Sequence, residues 1–284
     1  METQDILVIN DEDRIVENIK AELVRYTPKT KGRIIEKVIL AALGSIPWVG
    51  ALLSTAASFK TEEGRIKTSN LHSKWLEEHE IKFKKLMITL AEIDERFVSF
   101  GEQIEERINS ENYLALVRKS FKVWDDSDTD EKRKYISNLL SNSAGTKLCS
   151  DDVIRLFIDW LRIYHELHFA VIRSIYKTPG LTRYEMWIEL RDENLPREDS
   201  PEADLFKYII RELSTGGVMR QARATTADGQ FLKQRTIKRS PRLTMESAFE
   251  GTKQYILTEL GKQFVHYTMK DVITMIDDDN SKSN

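Results

Sequence analysis

The pattern of apolar and polar positions along the chain predicts helices almost from end to end. Ile15, Ile19, Leu23 and Tyr26 recur at steps of four and three, one face of a helix opened by acidic residues. Phe83, Leu86, Leu90, Ile93, Phe97, Phe100 and Ile104 then alternate steps of three and four, and His79, Leu76 and His72 carry the same register backwards. Glu, Lys and Arg fill the positions between. This is a heptad stripe and predicts one long helix over residues 70–108. Aromatic residues at three of its positions suit a broad bundle better than a thin two-stranded coil. Further helices are predicted over 111–124, over 129–143, where Asp128 and Glu131 have the spacing of a capping box, and over 150–177.

Beyond residue 177 the pattern changes. Thr178, Pro179 and Gly180 stop the helix, and 191–204 reads as an acidic, proline-containing loop. A helix follows at Asp204-Leu205-Phe206-Lys207-Tyr208-Ile209-Ile210-Arg211-Glu212-Leu213, closed by Gly216 and Gly217. Residues 218–242 lose the helical period and read as strand, loop and strand. Tyr255-Ile256-Leu257 is a short strand that runs into a last helix from Thr258. The expected fold is therefore mainly α: a helical bundle over 1–160 and a small α+β, winged-helix-like domain over 161–276. The polar end, 277–284, is expected to be disordered.

Two segments break the ordinary amphipathic pattern, and each suggests a contact. Residues 38–59 carry no charge, and Gly44, Pro47 and Gly50 cut the run into halves. A membrane-crossing helix needs about 20 apolar residues, whereas each half, at about 12 residues, would reach only about 18 Å. The segment 34–59, with Ile46, Pro47, Trp48, Val49 and Gly50 at its turn, thus reads as a helical hairpin. It either packs inside the protein or an oligomer, or dips into a membrane. A true span is the remaining alternative.

The second segment, 218–242, holds Arg220, Arg223, Lys233, Arg235, Lys238, Arg239 and Arg242 against the single acid Asp228. A basic strand–loop–strand after a helix is how a wing lies along a phosphate backbone. The competing reading is a solvated hairpin, or one seated on the acidic 191–204 loop. The helix before it offers only Lys207 and Arg211 as cationic donors.

Composition narrows the rest. The chain has 284 residues, 31% of them charged, and a formal net charge of −3, so attraction to nucleic acid or lipid must come from a local patch. A single cysteine, Cys149, excludes an internal disulfide and a multi-cysteine zinc site. The acidic start of the chain lacks the order of a signal peptide. A cytoplasmic protein is expected, with the hairpin as the one feature that would place it at the inner face of the cell membrane.

Catalytic signals are poor. His165-Glu166-Leu167-His168 has its histidines three apart and its glutamate in the wrong slot for a zinc protease. Asp126, Asp128 and Asp130 alternate like the start of a calcium loop, but Glu131 stands where the loop glycine belongs. No phosphate-binding loop or dinucleotide fingerprint is present. The reading is a non-enzyme without cofactor.

Three pieces taken together resemble bacterial proteins of the abortive-infection alpha type and related phage-defence accessory proteins. They are the hairpin at residues 46–50, the middle stretch Asp130-Glu131-Lys132-Arg133-Lys134-Tyr135-Ile136-Ser137-Asn138-Leu139-Leu140, and the ending Tyr255-Ile256-Leu257-Thr258-Glu259-Leu260-Gly261-Lys262-Gln263-Phe264. The resemblance implies a role in bacterial phage defence. Joined to the stripe and the hairpin, it gives the reading of a non-enzymatic effector or interaction protein, self-associating through its helices, with 34–59 as the segment that could engage the membrane. The alternative is a winged-helix nucleic-acid-binding protein or regulator that contacts phosphates through 218–242.

Overall fold

The computed structural model describes residues 33–49, 70–146, 148–191, 195–223, 228 and 247–269, without the side chains of 33–34 and 70–77. These residues are mainly helical, with one small two-stranded sheet. They divide into two compact units, one drawn from Met1–Arg162 and the other from Ile163–Met269.

In the first unit, α1 (Arg33–Leu43) packs on α3 (Glu105–Asn109) and α4 (Glu111–Asp126), while the long α2 (Asn70–Phe100) packs on α5 (Asp130–Gly145). The heptad stripe is the buried seam of α2: Phe83, Leu86, Leu90, Ile93 and Phe97 are all in the core. The helix stops short of the expected 108. Gly101 takes φ +72°, in the left-handed region that glycine alone occupies without strain, and a turn of 3₁₀ helix follows at Gly101–Ile104. Ile104 and Ile108 still reach the core, so the apolar register survives the break.

Helix α4 starts at Ser110, whose hydroxyl accepts from the Tyr113 amide at 3.3 Å. Helix α5 starts at Thr129, not at the expected Asp128. The Thr129 hydroxyl faces the Lys132 amide, and Asp128 stays exposed beside the Lys132 ammonium at 3.8 Å. Asp130 is tied to Lys85 at 2.8 Å and Arg133 at 2.7 Å, which lower its carboxyl pKa through hydrogen bonds. Helix α6 (Asp151–Ile163) is anchored by the Arg107–Asp151 and Lys119–Asp159 pairs.

The first half of the apolar hairpin is part of this core. Ile35, Val38 and Ala42 are buried along α1, the chain turns at Gly44 and Ser45, and Pro47–Val49 are helical again. Ile46 is 1% exposed and Val49 2%. Trp48 donates from Nε1 to Asp125 at 2.7 Å, meets the His79 ring edge-on and has Lys82 5.7 Å from its centroid. Gly50 and the second half of the hairpin lie outside the described residues, and no described helix is long and apolar enough to cross a membrane. Val49→Lys should therefore destabilise the unit by at least about 2 kcal/mol, because an ammonium would enter an apolar site. An unchanged melting temperature would show that Val49 faces outward.

In the second unit, what was expected as one helix over 150–177 is two, broken at Tyr164 and His165. Helix α7 (Glu166–Lys177) carries α8 (Arg183–Arg191), α9 (Pro201–Thr215) and α10 (Glu259–Thr268) around it. Strand β1 (Met219–Gln221) pairs antiparallel with β2 (Tyr255–Leu257), with Met219 opposite Leu257, and Leu181 adds a bridge to Tyr255. Phe169, Phe206, Ile210, Leu213, Tyr255, Phe264 and Tyr267 form the core.

The junction between β2 and α10 is tightly made. Thr258 caps α10 by accepting from the Gly261 amide at 3.0 Å, and donates its hydroxyl to the Gly217 carbonyl at 2.6 Å. Its amide donates to the Val218 carbonyl at 3.0 Å. A Cβ on Gly261 would lie 2.1 Å from that same oxygen, so glycine is required by close approach.

Candidate functional site

The site is built on α9. Ser200 caps it by accepting from the Ala203 amide at 3.2 Å, and Pro201 occupies the first turn, where its missing N–H costs nothing. Ala203, Phe206, Ile209, Ile210 and Leu213 face inward. The chain then turns through Gly216 and Gly217, the latter at φ +78°.

The opposite face of α9 presents Asp204, Lys207, Tyr208, Arg211, Ser214 and Thr215 to one wall of a cleft of about 790 Å³. The other walls come from β1 and its continuation (Met219, Arg220, Gln221, Arg223), from Arg183 at the start of α8 and from Tyr255 on β2. Five cationic side chains thus line the cleft against one carboxylate. In this partly desolvated space their fields add, and an anion is the complementary ligand.

The cations are held differently. Arg183 donates from Nε to the Tyr255 hydroxyl at 3.0 Å and from a terminal nitrogen to the Ser247 carbonyl at 3.1 Å, with its guanidinium over the Tyr255 ring. Lys207 sits 3.6 Å from Glu198. The Ala248 amide and the Ser247 hydroxyl both donate to Glu198 and hold its carboxyl below the usual range. Arg220 is half-buried at the middle of β1. Arg211 and Arg223 are exposed and make no ion pair among the described residues. These two are the cleft's unengaged cations.

Behind Tyr208 lies a polar chain that ends on the buried His168. The His165 amide donates to Nδ1 of His168 at 3.1 Å, so Nε2 carries the proton and donates to Glu212 at 2.9 Å. Burial pushes the His168 pKa down, against the pull of Glu212. Glu212 also accepts from the Tyr208 hydroxyl, which raises the Tyr208 pKa. The pair His165 and His168 is thus a helix start and a part-buried hydrogen-bonded pair. Among the described residues no three His, Cys, Asp or Glu side chains are grouped to hold a metal.

Of the wing residues singled out in the sequence, Arg220 and Arg223 line the cleft. Lys233, Arg235, Lys238, Arg239 and Arg242 lie outside the described residues. Lys207 and Arg211, the two donors noted on the preceding helix, are both in the cleft. Arg183 and Tyr208 were not singled out. A signal for Arg183 exists in Thr182 and Glu185, the spacing of a capping box: the Glu185 amide donates to the Thr182 hydroxyl and Glu185 accepts from the Thr182 amide. That motif marks a helix start and so projects Arg183 from its first turn.

No protein-family model matches the chain, and comparison with curated proteins and with solved structures finds no match.

Proposed function

We propose that residues 163–269 form a winged-helix-like module that binds duplex nucleic acid, with α9 as the helix that enters the groove. The observation that carries this reading is the cleft, where five cations meet one acid along the outward face of one helix and the adjoining strand. The element order supports it: a helix, the bridging residue Leu181, two helices, a pair of antiparallel strands and a closing helix. That order fits a winged helix, in which the second helix of the pair lies in the major groove and the wing follows the backbone. The chain acts as a binding protein without a catalytic step. A role as effector or regulator in phage defence is proposed on the sequence resemblance alone.

The hairpin's membrane engagement, expected from its uncharged sequence, finds less support. Ile46 and Val49, two of its five turn residues, are buried in the protein's own core. Packing inside the protein is the reading we retain for 34–49.

The test is a pair of exposed cations. Arg211→Ser with Arg223→Ser should leave the melting temperature unchanged, weaken binding to duplex DNA and flatten its salt slope by about two units, one for each lost phosphate contact. Unaltered binding by this variant would remove the cleft from the interface.

A further inference from the structure

The cleft keeps an acid that an electrostatic anion site has no use for. Asp204 is exposed and makes no ion pair among the described residues, although Arg211 lies on the same stripe of α9 and is itself unengaged. A free carboxylate in a phosphate-binding cleft weakens every phosphate contact near it. The helix start does not require it either, since Glu202 already supplies an acid to the first turn. A carboxylate facing base edges, by contrast, has one favourable partner type. It accepts from an exocyclic amine, and aspartate pairs with the N4 amine of cytosine.

The placement suits that role. Asp204 lies in the first turn of α9, the end of a groove-entering helix that reaches base edges. Arg211 follows seven residues later, two turns and about 10.5 Å further along the axis. That separation carries Arg211 toward the rim of the groove, where the backbone runs. We infer that Asp204 makes the cleft sequence-selective, preferring a cytosine at one position of its site. The inference rests on the nucleic-acid reading above.

The experiment selects bound sequences from a pool of random duplexes, using the full chain as wild type, Asp204→Asn and Asp204→Ala. The wild type should enrich a motif with a cytosine that Asp204→Ala relaxes by about tenfold. Asp204→Asn should redirect that position to adenine, which asparagine recognises through N6 and N7. If all three proteins enrich the same bases, or the two variants bind every duplex more tightly with no change in preference, Asp204 is only a surface acid and the inference fails while the binding reading stands. If the wild type retains no duplex at all, the binding reading fails and takes this inference with it.

Discussion

Phe97→Ala should lower the unfolding free energy of the first unit by about 3–5 kcal/mol, the usual cost of removing a fully packed aromatic ring. Phe97 is 5% exposed on the core face of α2, with its ring 6.4 Å from that of the buried Tyr113 on α4. Tyr113 is itself fixed by a bond from its hydroxyl to the Leu140 carbonyl on α5 at 2.8 Å. The side chains around the vacated space are therefore tied to three helices and cannot collapse into it freely. A denaturant titration measures the effect. A loss below about 1 kcal/mol would mean that the seam of α2 is not a core.

Gly261→Ala is expected to be damaging as well, and its sign makes it informative. Helix propensity alone favours alanine over glycine by about 1 kcal/mol. Here the added Cβ would stand 2.1 Å from the Val218 oxygen and 3.0 Å from its carbonyl carbon. That oxygen accepts from the Thr258 amide at 3.0 Å, so moving it away breaks the link between β1 and the start of α10. Overpacking of this kind costs about 1–3 kcal/mol or more, which outweighs the propensity gain. The expected result in a thermal melt is destabilisation, and the strand that carries Arg220 should shift with it, since Val218 leads directly into that strand. A variant as stable as the wild type would contradict the close approach.

These two sites show what was legible in the sequence. The α2 stripe could be read because a packed helix buries every third or fourth residue, and the positions from Phe83 to Phe97 all lie in the core. Its end could not be read, since a periodic pattern persists through a broken helix when Ile104 and Ile108 return to the same core. Likewise, Asp128 and Glu131 have the spacing of a capping box, and the choice of Thr129 instead depends on backbone angles that spacing does not encode. Tyr255 to Phe264 was legible as strand and helix, but the need for glycine at 261 arises from Val218, distant in sequence.

The cleft was half visible for the same reason. The outward spacing of Asp204, Lys207, Tyr208, Arg211, Ser214 and Thr215 is an ordinary polar helical face, which on most helices meets only water. It becomes one wall of a cleft because the antiparallel pairing of β1 with β2 and the bridge from Leu181 bring Arg183, Arg220 and Tyr255 opposite it. Pairings between positions more than thirty residues apart leave no trace in local periodicity. The basic character of 218–242 singled out Arg220 and Arg223, which line the cleft, and gave less weight to the helix that forms its other wall.

The most direct test of the central claim is the salt dependence of wild-type binding to a short DNA duplex. Each neutralised phosphate contributes about −0.9 to the slope of log affinity against log salt concentration. With Arg211, Arg223 and at least one further cleft cation engaged, the account predicts measurable binding at about 50 mM salt and a slope of about −3 or steeper. Absence of binding at that salt concentration, or a slope near zero, would contradict it.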